Sequence, residues 1–93
     1  MIPATEALQW GLVNHVVPTD QLLSTTLELA GKIARNSPTA LGAAIRAVNA
    51  GYEPDTDGMQ REIDEFGKCF GTADFKEGTS AFMEKRKAVF SGE

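Results

Sequence analysis

The chain has one cysteine, one histidine, one tryptophan and no apolar stretch longer than a few residues. A lone Cys69 excludes an internal disulfide and any multi-cysteine zinc site, so nothing demands an oxidising compartment. A lone His15, with no cysteine or second histidine beside it, excludes a histidine metal cluster and a nucleophile with a histidine base; it reads as an ordinary polar residue. The short apolar runs exclude a membrane-spanning helix, and the N-terminus lacks the basic region and apolar stretch of a signal peptide. The expected location is therefore the cytoplasm, or the mitochondrial matrix in a eukaryote. Positive charge is also in deficit: 9 Lys and Arg against 13 Asp and Glu give a net charge of −4, which disfavours binding to nucleic acid or to an anionic membrane. There is no glycine-rich phosphate loop, no paired-cysteine motif and no histidine pair at helical spacing.

What is present is ordinary globular composition, 42% hydrophobic and 24% charged, in 93 residues. A chain of that size buries only a modest core, and a partner surface would help it. Pro3 to Trp10 predicts a short helix stopped by Gly11, and the run Leu12 to Val17, closed by Pro18, predicts one extended segment without a visible strand partner. A long helix is expected from about Thr19, as N-cap, to Arg35 or Asn36. Its two apolar stripes, Leu22, Thr26, Leu29, Ile33 and Leu23, Leu27, Ala30, Ala34, predict a central position. Ser37-Pro38 predicts a capped start for a helix ending near Gly51, with Leu41, Ala44, Ile45 and Val48 facing a core. A polar loop over 52–58 precedes a helix marked by Met59, Ile63, Phe66 and Phe70 and ended by Gly71. Thr72 caps a last helix with Asp74 and Glu77 early and Lys85, Arg86 and Lys87 late, the charge order that the helix dipole favours. Short loops and one-sided stripes predict a bundle of about four antiparallel helices. The composition break near Pro18 separates residues 1–17 from residues 18–93.

Few residues are candidates for chemistry. Cys69, beside Phe66 and Phe70, reads as a small hydrophobe. Glu62 and Glu65 have the spacing of a general acid and base pair, but a solvated helix face explains them more simply. Trp10 reads as a packing anchor. Lys85, Arg86 and Lys87 can meet phosphates, though spacing alone favours ordinary dipole compensation.

Longer stretches carry more information. Ala4-Thr5-Glu6-Ala7-Leu8-Gln9-Trp10-Gly11-Leu12-Val13-Asn14, Val16-Val17-Pro18 and Ala30-Gly31-Lys32-Ile33-Ala34 resemble the crotonase superfamily, which includes the enoyl-CoA hydratases and isomerases. Asn36-Ser37-Pro38-Thr39-Ala40-Leu41, Glu62, Phe66, Thr72-Ala73-Asp74-Phe75-Lys76-Glu77-Gly78 and Ala81-Phe82-Met83-Glu84-Lys85-Arg86-Lys87 continue the resemblance in the same order across nearly the whole chain.

The resemblance implies a mainly α fold: a short helix and an extended segment (1–17) closing a spiral core of ββα turns, then a four-helix C-terminal domain (18–93) that packs subunits into trimers or hexamers. The spiral core itself has no counterpart in these residues. Family members polarise an acyl-CoA thioester with two backbone amides while glutamates move protons. Those groups belong to the spiral core, so no catalytic residue is carried over and no turnover is expected from these residues alone. Two positions do carry over by alignment: Phe82 and Lys85 match an aromatic and a lysine that cover the adenine region of coenzyme A bound to a neighbouring subunit. A ring and an aliphatic stem can flank a nucleotide while an ammonium meets its phosphate. The implied partners are other copies of the chain and an acyl-CoA, with no metal. The alternative expectation is a free-standing helical oligomerisation or interaction module without enzymatic activity.

Overall fold

A computed structural model describes residues 1–93 and contains α1 (Ala4–Gln9), a 3₁₀ turn (Thr19–Gln21), α2 (Leu22–Ala34), α3 (Pro38–Ala50), α4 (Gly58–Cys69) and α5 (Ala73–Met83), with no strand. The mainly α expectation is met. The chain divides into two compact units, Met1–Ile33 and Ala34–Glu93.

In the first unit, α1 ends where Gly11 takes φ +72° and lets two backbone bonds close over the last turn. Gly11 N–H reaches Leu8 O at 3.1 Å and Leu12 N–H reaches Ala7 O at 2.9 Å. This is the Schellman cap, in which the residue after the C-cap goes left-handed, a place where glycine is usual. Residues 12–17 form no strand, since a strand needs a ladder partner and none of these residues supplies one. Thr19 is not an α-helical N-cap: Pro18 leads into a 3₁₀ turn closed by Gln21 N–H to Pro18 O at 2.9 Å, and α2 begins only at Leu22. The expected central burial of α2 is also corrected. None of its residues is buried, and Leu23 is 70% exposed, so its wide apolar face is uncovered.

In the second unit the capping signals at Ser37 and Thr72 hold, and Asp57, read only as a loop residue, is a third cap. Ser37 accepts a bond from Ala40 N–H at 3.2 Å with Pro38 opening α3, Asp57 accepts one from Gln60 N–H at 3.0 Å, and Thr72 accepts one from Phe75 N–H at 3.0 Å. Helices α3 and α4 pack against each other along their length, but not through the face expected for α3. Ala43 and Ala50 are buried, whereas Ile45 is 61% and Val48 is 64% exposed. The reason is close approach. A Cβ built on Gly58 would lie 3.0 Å from Gly51 Cα, and small side chains suit helices meeting at that range. Packing in this unit is thus pairwise and shallow rather than that of a bundle. Every buried apolar residue of the whole chain is an alanine: Ala43, Ala50 and Ala81.

The last helix is shorter than its charge pattern predicts. It ends at Met83, with Glu84 as C-cap, so Lys85, Arg86 and Lys87 lie beyond it and do not compensate its dipole from within the last turn. Lys85 has φ +54°, which turns the chain out of the helix.

Candidate functional site

Two carboxylates, one helical turn apart on α5, organise the chain's C-terminal segment. Asp74 is 2% exposed and Ser37 is 8% exposed; the Ser37 hydroxyl donates to Asp74 Oδ2 at 2.6 Å. Asp74 Oδ1 accepts from the backbone N–H groups of Ser91 at 2.8 Å and Gly92 at 3.1 Å, and Asp74's own N–H donates to Glu93 O at 2.9 Å. The Ser37 bond first, and the Gly92 and Ser91 amides after it, hold the Asp74 carboxyl below the usual aspartate range against the opposing effect of burial. One serine therefore caps α3 and ties it to the start of α5.

Glu77 accepts a two-pronged bond from Arg86, Nη1 to Oε1 at 2.6 Å and Nη2 to Oε2 at 3.0 Å, and a further one from Val89 N–H at 2.9 Å. The planar guanidinium matches a carboxylate in this way, where an ammonium meets it only as a point charge. The Arg86 fork, followed by the Val89 amide, lowers the Glu77 carboxyl from 4.5 to about 2. Arg86 also donates from Nε to Glu84, and its own affinity for the proton rises further. Between the two anchors the Phe90 ring lies against Gly78, its Cε1 being 3.4 Å from where a Cβ would stand.

The two residues singled out by resemblance lie at the C-terminal end of α5, Phe82 within the helix and Lys85 past it. Phe82 is 83% exposed on the last turn of α5, and Lys85 is an exposed cap residue three positions on. Both are presented outward at the same end of the helix, next to Met83, which is 78% exposed. Asp74, Glu77 and Arg86 carry no individual signal in the sequence beyond helix-dipole charge. Their tie to residues 89–93 depends on a turn that no periodicity announces.

A second cluster lies on the α3 and α4 pair. Glu65 is not on a solvated face, as its spacing suggested; it is 3% exposed and accepts from Arg46 Nη2 at 2.8 Å and Nε at 3.0 Å, with Lys68 Nζ at 3.3 Å. The Arg46 bonds, then Lys68, hold it below the usual glutamate range, which suits an ion pair and makes it a weak base. Glu65, Glu62, Val48 and Phe66 line a groove of about 470 Å³ together with Ala40, Ala43, Ala44, Ala47 and Cys69. Cys69 donates to Glu65 O at 3.3 Å. His15 helps to line a smaller cavity in the first unit with Leu22, Thr26 and Leu29. No group of three or more His, Cys, Asp or Glu side chains is arranged to hold a metal ion, and no helix is long and apolar enough to cross a membrane.

The helices are capped, large apolar side chains on them are exposed, and the C-terminal turn is clamped. The chain belongs to the enoyl-CoA hydratase/isomerase family, whose model matches residues 1–93. It is 45% identical over 87 residues to the short-chain-enoyl-CoA hydratase of Clostridium acetobutylicum, a match covering 92% of this chain and 33% of that protein. It is also 45% identical over 91 residues to the crotonyl-CoA hydratase of Syntrophomonas wolfei, covering 97% of this chain and 35% of that one. Among solved structures, the enoyl-CoA hydratase of Bacillus anthracis superposes with a TM-score of 0.90 at 40% identity over 97% of this chain and 35% of the other. The chain thus spans about a third of the length of the relatives it matches.

Proposed function

We propose that these 93 residues are the assembly and coenzyme A-covering segment of an enoyl-CoA hydratase/isomerase that acts on acyl-CoA thioesters. Residues 1–17 end its catalytic core and residues 18–93 form the helical domain that joins subunits into a trimer or hexamer. The observation that carries this reading is the state of the apolar side chains: no residue larger than alanine is buried among the hydrophobics, while Leu27, Ile63, Phe66 and Phe82 are 62%, 61%, 66% and 83% exposed. Such a set of faces costs free energy in water at about 25 cal/mol per Å² and is kept where another surface covers it. Phe82 and Lys85 supply a ring and an ammonium at one helix end, the chemistry that an adenine with a nearby phosphate requires.

The chemistry of the proposed enzyme would come from its core, through two amides stabilising the thioester oxyanion and carboxylates moving the proton. The segment contributes by closing the site. Native mass spectrometry of the chain with and without coenzyme A tests this. An oligomer whose population rises with coenzyme A supports the reading, and an oligomer blind to coenzyme A supports instead a binding module without a nucleotide role. The chain by itself should not hydrate crotonyl-CoA, since the family's oxyanion-hole amides and proton-moving glutamates belong to the spiral core, which has no counterpart in these residues; measurable hydration overturns that expectation.

A further inference from the structure

The same cap closes two helices of this chain with different residues at its left-handed position. At the end of α1 that residue is Gly11, φ +72°. At the end of α5 it is Lys85, φ +54°, with Lys85 N–H reaching Phe82 O at 3.2 Å and Arg86 N–H reaching Ala81 O at 3.0 Å, the same pair of bonds. Glycine takes this conformation without penalty, whereas a lysine has its Cβ pressed towards a carbonyl oxygen. A side chain kept there against that cost needs surroundings that hold it. Here the residue next in sequence, Arg86, is gripped by the Glu77 fork. Three residues later Val89 N–H is bound to the same carboxylate, and residues 91 and 92 are bound to Asp74.

We infer that Glu77, with Asp74 behind it, is a positioning residue: it clamps residues 84–93 along α5 and so fixes the left-handed Lys85 turn in the orientation that meets the coenzyme A phosphate. The coenzyme A part of this inference rests on the function proposed above; the clamp itself does not. Phe82 lies within the helix and is placed without the clamp, whereas Lys85 lies past its end and depends on it.

The test has two readouts on the same chain. Amide hydrogen exchange by NMR compares the wild type with Glu77→Gln, which keeps shape and removes charge. Exchange at Arg86 and Val89 should rise at least about tenfold while amides within α3 and α4 stay protected. Unchanged protection at Arg86 and Val89 refutes the clamp. Asp74→Asn is the less safe variant, because that carboxylate is buried, and the Glu77 substitution avoids the risk. The second readout is coenzyme A affinity by calorimetry in a double-mutant cycle. Glu77→Gln and Lys85→Ala should each weaken binding about three- to tenfold, and the double variant should be no weaker than Lys85→Ala alone. Losses that multiply show that Glu77 does not act through Lys85 and overturn the positioning role. A wild type that binds no coenzyme A defeats the proposed function together with the positioning role, while the exchange readout still decides the clamp.

Discussion

On the proposed function, Lys85 is the residue at which stability and coenzyme A binding pull apart. Replacing it with glycine removes the left-handed penalty, which for an L-residue is roughly 1 kcal/mol. Lys85→Gly should therefore raise the thermal midpoint of the chain by a few degrees, as read by circular dichroism, while weakening coenzyme A binding; a lowered midpoint contradicts the cap geometry. Ser37 is the opposite case, since one hydroxyl both caps α3 and holds Asp74. Ser37→Ala should destabilise the chain by more than the typical 1 kcal/mol of an N-cap, because it also leaves a buried carboxylate with one partner fewer. Chemical denaturation measures this, and a loss of only a few tenths of a kcal/mol would show that the Asp74 bond is dispensable. These two roles differ in legibility. Ser37 announced itself by preceding Pro38, and the capping reading was right, but its second bond, to a residue 37 positions away, has no local signature.

At the level of elements, the helix starts at Ser37 and Thr72 were readable, whereas the start of α2 and the helix faces were not. Ser37, Asp57 and Thr72 stand where short polar side chains satisfy free amides, and such chemistry is local. The face that α3 turns to α4 is set by close approach at Gly51 and Gly58, a long-range fact, so the larger apolar stripe of Ile45 and Val48 was assigned to a core it does not face. The tight contact makes a sharp prediction. Ala43→Leu should cost about 1 to 3 kcal/mol by overpacking, whereas Ile45→Leu, on the exposed stripe, should be close to neutral in the same denaturation experiment. The end of α5 was misjudged because a run of three basic residues fits a last helical turn as well as a tail. What decided it was Glu77 taking Arg86 away from the helix axis. That ion pair also sets the pH response of the tail. With Glu77 lowered to about 2 from 4.5, its contribution is fully present above about 4.5 and is lost as pH falls towards about 2. Asp74, lowered too, changes in the same direction. Protection of the Val89 and Ser91 amides should accordingly be constant from pH 7 to 5 and fall below about 4; protection that rises on acidification contradicts the assignment.

For the molecule as a whole, family was legible before fold, because motifs in a fixed order are specific where single stripes are ambiguous. The amphipathic patterns marked apolar stripes on the helices, yet the structure leaves much of those faces in the open. On the proposed function, α2 with Leu22, Leu23 and Leu27 exposed is one of the surfaces that another chain or domain covers. Sedimentation velocity over a concentration series tests that claim most directly, comparing the wild type with a variant carrying Ile63→Glu and Phe66→Glu on α4. The wild type should sediment as a concentration-dependent oligomer and the charged variant as a smaller species with unchanged helical content. A wild type that stays a well-folded monomer at every concentration, with and without coenzyme A, contradicts the account.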